Sequence, residues 1–155
     1  MTSLRLRQFA TRLILALPLI APPALAAEPS PSIPEAKTMK IRLTINGHAT
    51  SAMLDDNATA RDFLSLLPLT LTLEDYAATE KIAYPPRKLS TQGAPAGINP
   101  DIGDITYYAP WGNLALFYKD FGYSTGLIRL GRFDAGVEAI SASGKLEVTI
   151  EAFRP

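Results

Sequence analysis

The 155-residue sequence contains no cysteine and one histidine. The absence of cysteine excludes a fold held by disulfide bonds, catalysis by a thiol and metal sites with thiolate ligands. The lone histidine, His48, directly follows an Asn-Gly turn, where histidine is common for conformational reasons. It therefore gives no basis for a His-based catalytic triad, and an apolar core alone must stabilise the fold.

Signatures of common enzyme classes are also missing. The chain has no G-x-S-x-G segment, no phosphate-binding glycine loop and no zinc motif. Its acidic clusters have local explanations, since Asp55 and Asp56 precede a helical segment and Asp101 and Asp104 belong to a Pro-Asp-x-Gly turn. Neither cluster has the density of oxygen ligands that a calcium loop needs. We therefore predict no catalytic residue, no metal site and no cofactor.

The N-terminus has the order of a secretory signal peptide. Three arginines without an acid precede an apolar run at residues 13–20, and a small-residue site, Ala24-Leu25-Ala26, follows. A membrane anchor is the alternative, but the run is shorter than the ~20 residues of a spanning helix, and Pro18, Pro22 and Pro23 would break such a helix. We predict a signal peptide at residues 1–26, a proline-rich spacer at 27–38 and one domain at 39–153. The predicted location is the periplasm, with no membrane anchoring after cleavage.

The charge of the exported part is slightly negative. Without the three arginines of the signal, 12 Lys and Arg stand against 15 Asp and Glu, a formal charge of −3. Nothing in this balance attracts nucleic acid electrostatically. We predict no nucleic-acid partner.

Apolar residues alternate with polar ones in several segments, which predicts half-buried strands. The first such pair, residues 39–45 and 49–54, is joined by Asn46-Gly47, the strongest short hairpin signal. Residues 55–68 change to a helical period and end at Pro68. The further predicted strands are residues 69–76, a short piece at 81–84, both arms of 103–119, 126–133 and 145–153.

The remaining segments are irregular or short. Residues 77–99 are dense in Pro, Gly and Ser, and predict a long loop that is a candidate docking arm. Residues 134–143 predict a short helix or turn. In the hairpin of 103–119, a three-residue loop would place Tyr107 opposite Ala115 and Ala109 opposite Asn113. With seven or eight strands and no βαβ rhythm, the chain predicts a mainly β fold, a closed antiparallel eight-stranded barrel with two short helices.

The segment "TYYAPWGNLALFYKDFGY", residues 106–123, holds seven of the thirteen aromatic residues. Most are explained by the wall of a barrel and its cover. Trp111 stands at the loop tip, where it either anchors a ligand or plugs the barrel end. In the predicted register Tyr108 and Tyr118 share one face, and their phenols can orient a ligand. The candidate ligand-binding residues are Arg61, Tyr84, Tyr108, Trp111, Tyr118 and Tyr123.

Several segments together resemble the bacterial cyclophilin-like domain family. They are "ARDFLSLLPLTLTLEDY", "EKIAYPPRKLS", "GDITYYAPWGNLALFYKDF" and "LIRLGRF". The resemblance implies a cyclophilin-like barrel but little about activity. Cyclophilin enzymes carry a Phe-His-Arg segment that this chain lacks, and their Gln-Gly-Gly segment is matched only faintly around Gln92. We predict a non-catalytic binding module for a peptide or small apolar ligand, with a peptidyl-prolyl isomerase of rearranged active site (Arg61 or Arg132 replacing the arginine) as the alternative.

Overall fold

The computed structural model of the chain describes residues 39–153. The predicted signal peptide at residues 1–26 and the predicted spacer at 27–38 lie outside the described residues and stay predictions.

The described residues form ten strands, one α-helix and one 3-10 helix. Eight strands close into an antiparallel barrel in the order β1-β10-β3-β4-β7-β6-β9-β2, and β5 and β8 form a separate two-stranded ribbon. The predicted closed barrel is confirmed, and the two short helices correspond to α1 and the 3-10 turn. In chain order the elements are β1 (Lys40–Ile45), β2 (His48–Leu54), α1 (Ala58–Ser65), β3 (Leu69–Tyr76), β4 (Glu80–Ala83), β5 (Gly97–Ile98), β6 (Asp104–Tyr108), β7 (Asn113–Phe117), β8 (Ser124–Thr125), β9 (Leu127–Phe133), the 3-10 helix (Val137–Ile140) and β10 (Leu146–Ala152).

The β1–β2 hairpin forms as the alternation predicts. Ile41, Leu43 and Ile45 are at most 1% exposed and belong to the core inside the barrel. The turn residues Asn46 and Gly47 have φ angles of 45° and 83°. Positive φ at both central residues is the geometry of a type I′ turn, whose twist matches that of the strands.

Helix α1 is shorter than the pattern suggests and packs onto the barrel core. Asn57 caps it, because its Oδ1 accepts a hydrogen bond of 2.8 Å from the backbone N of Ala60. Ala60 and Phe63 are fully buried, and burial of a phenylalanine stabilises the fold by roughly 1.5–3 kcal/mol. The Asn57 Nδ2 also donates to the carbonyl oxygen of Arg129 at 2.9 Å, which connects the start of the helix to β9.

The predicted long loop at residues 77–99 contains the strands β4 and β5, and the loop between them, residues 84–96, is held against the barrel and the helix. The backbone N of Leu89 donates to the phenol oxygen of Tyr107 at 3.1 Å inside the fold. Asp62 of α1 accepts two hydrogen bonds from Arg87, of 2.7 and 2.8 Å, and one of 2.7 Å from the backbone N of Ser90. These contacts fix the loop beside the helix.

The register predicted for the β6–β7 hairpin is wrong by one residue. Four residues, 109–112, form the loop instead of three, so that Tyr108 pairs with Asn113 and Tyr107 with Leu114. Gly112 has the predicted left-handed conformation, with φ of 77°. Because successive side chains of a strand point to opposite faces, the slip exchanges the two faces of β7 relative to β6. Phe117 therefore joins Tyr108 on the outer face, and Tyr108 and Tyr118 do not share a face.

Candidate functional site

A second apolar cluster covers the outer face of the barrel where β4, β6 and β7 meet. Ala115, Phe117 and Leu127 are buried there, separately from the core inside the barrel. Ile82 and Tyr108 pack partly against them. An apolar outer face of this kind either is roofed by the chain itself or is a place where a ligand binds.

A groove of about 160 Å³ opens on this cluster. Its walls come from the end of β3, the outer residues of β4, β6 and β7, and the segment that follows β7. Five aromatic rings and two buried polar side chains contribute to it, which is the composition typical of small-ligand sites. The lining residues are Tyr76, Glu80, Ile82, Tyr108, Trp111, Asn113, Phe117, Phe121, Ser124 and Leu127.

Trp111 forms one wall of this groove. It is 50% exposed at the tip of the β6–β7 loop, and its ring lies 5.5 Å from the rings of Tyr76 and Tyr108. The interplanar angles are 88° and 78°, the edge-to-face arrangement that aromatic pairs favour. Trp111 therefore packs against rings on the outer face of the barrel.

Two polar side chains in the groove are buried without strong partners. Glu80 is 8% exposed, and its carboxylate accepts one long hydrogen bond of 3.3 Å from the Thr79 hydroxyl. Burial raises the pKa of Glu80 above its usual value, and the Thr79 bond only partly opposes this. Asn113 is 2% exposed, and its Nδ2 donates to the carbonyl oxygen of Leu114 at 2.9 Å. No group among the described residues donates to its Oδ1.

Two of the six predicted site residues, Tyr108 and Trp111, line the groove. Tyr118 does not, because its phenol donates to the Asp75 carboxylate at 3.0 Å, beside the fully buried Lys81. Burial, and then the hydrogen bond to the Asp75 carboxylate, raise the pKa of Tyr118 above its usual value.

The other three predicted residues also lie elsewhere. Arg61 is exposed on α1 and pairs with Asp56, a neighbouring acid. Tyr84 and Tyr123 are 58% and 61% exposed and do not contribute to the lining. Tyr123 lies against the β5–β8 ribbon, where its phenol oxygen is 2.8 Å from the position that a Cβ on Gly97 would occupy.

Five aromatic or polar residues of the groove were not predicted from the sequence: Tyr76, Glu80, Asn113, Phe117 and Phe121. The sequence contains one indication that Glu80 faces an apolar surface. Alternate residues of a strand point to the same side, so Glu80 shares its face with the apolar Ile82, and Lys81 lies on the other face. The predicted three-residue loop would place Phe117 on the face opposite Tyr108, whereas the observed four-residue loop brings the two to one face. With the observed register, Glu80 pairs with Phe117 and Tyr76 pairs with Glu80, so three groove residues are consecutive across β3, β4 and β7.

A second, larger cleft of about 360 Å³ lies beside the start of α1. The Nε of Arg129 donates to the Asp55 carboxylate at 2.7 Å, and Asp104 accepts 2.9 Å bonds from Arg132 Nε and the backbone N of Asp101. The cleft is mostly polar, and its lining residues are Asp55, Asn57, Thr59, Gln92, Gly93, Ala94, Pro95, Ile98, Asn99, Asp104, Ile128 and Arg129.

Residues 39–153 also bear on metal binding and membrane insertion. No cluster of three or more His, Asp or Glu side chains in this part of the chain is arranged to hold a metal ion. In the same residues, no helix has the length and apolar character needed to cross a membrane.

The comparisons with known proteins agree with the fold. The sequence profile of the cyclophilin-like family matches residues 43–151, which are 109 of the 155 residues. A hypothetical protein from Archaeoglobus fulgidus, solved in solution, superposes with a TM-score of 0.54 at 17% identity, over 76% of this chain and 96% of that chain. At that identity the likeness shows the fold alone, and no curated protein matches the sequence. Since the family profile covers more than half of the chain, the chain belongs to the cyclophilin-like family.

Proposed function

We propose that this chain is an exported, non-catalytic binding module that holds a peptide or small apolar ligand in the aromatic groove. The observation that carries the proposal is the position of Trp111, half-exposed yet supported edge-on by Tyr76 and Tyr108. A large ring held in place at the surface loses little conformational freedom when it contacts a ligand. Exposed tryptophan of this kind is typical of binding anchors.

The size of the groove limits what it can take. At about 160 Å³ it is smaller than the clefts of roughly 300–1,000 Å³ that enclose drug-sized ligands. It therefore accommodates a group of about the size of one amino-acid side chain. A peptide would insert one side chain and leave its remainder on the surface.

Export to the periplasm is part of the proposal. It is supported by the basic, apolar and small-residue order of residues 1–26. Intact mass of the protein from a periplasmic extract is expected to correspond to a chain that begins at Ala27. A full-length mass in the cytoplasmic fraction would contradict export.

Ligand binding can be tested with short capped peptides of the form acetyl-Ala-X-Ala-amide, where X is norleucine or phenylalanine. We expect saturable shifts of backbone amide signals near Tyr108, Trp111 and Phe117 in NMR titrations. Trp111→Ala is expected to weaken binding about tenfold, as loss of an aromatic anchor does. The matched control is Tyr84→Ala, which removes another exposed ring outside the groove and should change the affinity less than twofold. Equal binding by Trp111→Ala, or shifts confined to the polar cleft, would contradict the proposal.

One observation favours the alternative, a peptidyl-prolyl isomerase. Arg129 and Gln92 line the same polar cleft, and an arginine and a glutamine are the polar residues that the resemblance associates with isomerase activity. Neither Arg61 nor Arg132, the two arginines named from the sequence, lines this cleft. That cleft, however, is lined by no aromatic ring, whereas the aromatic groove is lined by no arginine. A protease-coupled proline-peptide assay decides the matter. Acceleration that Arg129→Ala abolishes would establish the isomerase.

A further inference from the structure

We infer that the preferred occupant of the aromatic groove is a lysine side chain of a peptide, with its ammonium group on the Glu80 carboxylate and the peptide N–H on Asn113. This inference rests on the proposed function, and it names the ligand chemistry. Three observations carry it: a buried acid without a cation, a set of rings suited to a cation, and a buried acceptor without a donor.

The buried Glu80 carboxylate is the strongest of the three observations. The carboxylate is 8% exposed, and none of the ion pairs among residues 39–153 includes it. Its hydrogen bond from Thr79 is long, at 3.3 Å. A buried carboxylate in this state is poorly stabilised when ionised, and a cation that enters the groove supplies the missing partner. The net negative charge of the exported part also favours the approach of a cation.

The rings suit the body and the charge of a lysine. Trp111 stands at 88° to Tyr76 and at 78° to Tyr108, so the three rings form the walls of a trough. Aromatic faces attract an ammonium group through their quadrupole, and tryptophan does so best. The same rings, with Phe117, offer apolar surface to the four-carbon stem of the side chain.

Asn113 supplies the second polar contact. Its amide orientation is set by the bond from Nδ2 to the Leu114 carbonyl, which leaves Oδ1 as an acceptor without a donor. Asn113 is four residues before Phe117, the strand partner of Glu80, a separation of about 13 Å along β7. Both side chains line the groove, and we expect one extended lysine residue to place its backbone N–H near Asn113 and its ammonium group near Glu80.

Lysine suits the groove better than arginine. A guanidinium group pairs best with both oxygens of a carboxylate in a planar fork. One oxygen of Glu80, Oε2, already accepts the Thr79 hydroxyl, which favours a compact donor on the other. The volume of about 160 Å³ also favours the smaller head group.

The test compares two capped peptides that differ by one charge, acetyl-Ala-Lys-Ala-amide and acetyl-Ala-norleucine-Ala-amide. Trp111 is the single tryptophan of the chain, so its fluorescence reports on the groove directly. We expect the lysine peptide to bind at least tenfold more tightly than the norleucine peptide. n-Butylamine should bind more weakly than the lysine peptide, because it lacks the N–H for Asn113. Equal affinity for n-butylamine and the peptide would overturn the peptide part of the inference.

Glu80→Gln keeps the shape of the side chain and removes its charge. We expect it to lower the affinity for the lysine peptide about tenfold and to leave the norleucine peptide within twofold. The control is Glu74→Gln, which removes an exposed carboxylate that pairs with Lys145 outside the groove, and it should change neither affinity. Folding of both variants is checked by circular dichroism, and the comparison of the two peptides on the unmodified protein does not depend on either variant.

A pH titration separates a charged ligand from a neutral one. Affinity for the lysine peptide should rise as Glu80 ionises, whereas a neutral ligand gains nothing from that ionisation. Glu80→Gln identifies the group responsible, because other titratable side chains lie on or beside the same strands, among them Glu74, Asp75, Tyr76, Lys81, Tyr108 and Tyr118. If the norleucine peptide binds as tightly as the lysine peptide, the lysine inference fails and the proposed function stands. If neither peptide alters the Trp111 fluorescence or the groove amides, the proposed function itself fails.

Discussion

The two clefts of this domain differ in a way that their sizes do not indicate. The polar cleft is the larger, at about 360 Å³ against about 160 Å³ for the aromatic groove. Its charged side chains nevertheless satisfy one another, as Asp55 does with Arg129 and Asp104 with Arg132. In the groove, by contrast, Glu80 has no cation and Asn113 Oδ1 has no donor among the described residues.

This difference indicates what each cleft contributes. Buried polar groups are costly unless they are hydrogen-bonded, so those of the polar cleft stabilise the fold through their pairs. In the groove, the desolvated Glu80 carboxylate and the unused acceptor of Asn113 lower the stability of the free protein. A ligand that pairs with these groups offsets this cost when it binds. Loss of a paired side chain in the polar cleft should therefore lower stability without altering binding. Loss of the Glu80 charge in the groove should weaken binding and raise the stability of the free protein.

The largest expected effect is that of Asp104→Ala in the polar cleft. Asp104 is 1% exposed and holds two hydrogen bonds of 2.9 Å, from Arg132 and from the backbone of Asp101. Its removal leaves the Asp101 N–H and part of Arg132 unpaired, and should lower the free energy of unfolding by about 2 kcal/mol. Urea denaturation measures this change.

The matched control for that variant is Asp101→Ala. Its carboxylate pairs with the same Arg132 but is 68% exposed, so its loss should cost less than about 0.5 kcal/mol. Peptide binding in the groove should be unchanged in both variants. A binding defect in a folded Asp104→Ala protein would contradict the interpretation that the polar cleft contributes to stability and the groove to binding.

Glu80→Gln is expected to change the free energy of unfolding in the opposite direction. It should stabilise the free protein at neutral pH by about 1 kcal/mol. Because burial raises the pKa of Glu80, the folded state binds its proton more tightly than the unfolded state does. Stability from this group is fully present below the unfolded value of 4.5 and is lost as the pH rises through the folded pKa. The gain from the variant should therefore vanish in acid. Thermal melting at several pH values measures it, and a variant less stable than the parent at pH 7 would refute the interpretation.

Asp62→Asn should show the reverse pH dependence, with a loss of about 1 kcal/mol at neutral pH. Hydrogen bonds from Arg87 and from the Ser90 backbone lower the pKa of Asp62 from 3.8 to about 2. The stabilisation is present above the unfolded value and is lost as the pH falls from about 4 to about 2. Parent and variant should approach each other in urea denaturation as the pH falls to about 2, and a difference at pH 2 as large as that at pH 7 would contradict the assignment.

The sequence predicts the architecture of this domain well, because its strands and turns have strong local signals. Alternation in β1 and the Asn46-Gly47 pair specify the first hairpin, since only one register buries Ile41, Leu43 and Ile45. In β7 every residue is buried, so neither face is distinguished by polarity and the register depends on the loop alone. That is why the one-residue error occurred in the aromatic hairpin.

The composition of the groove could not be predicted for a related reason. Its residues come from β3, β4, β6, β7 and the segment after β7, and only the barrel closure brings them together. The sequence shows the cluster of aromatic residues at 106–123. It does not show that Tyr76 and Glu80, about 30 residues earlier in the chain, are neighbours of this cluster in the fold. Tyr108 and Trp111 could be predicted as groove residues because they belong to this aromatic cluster.

Tyr118→Phe is the variant with the smallest expected effect, and it tests whether Tyr118 belongs to the groove. Tyr118 belongs to the same aromatic segment as Trp111, yet its phenol donates to Asp75, which also accepts from Lys81 at 2.9 Å and from the Gly144 backbone at 2.9 Å. Removal of one donor from a carboxylate that keeps two others should cost about 0.5 kcal/mol of stability, measured by urea denaturation. Affinity for the lysine and norleucine peptides should stay within twofold, since Tyr118 does not line the groove. A tenfold loss of affinity with unchanged stability would instead place Tyr118 in the binding site and extend the groove toward the Asp75 network.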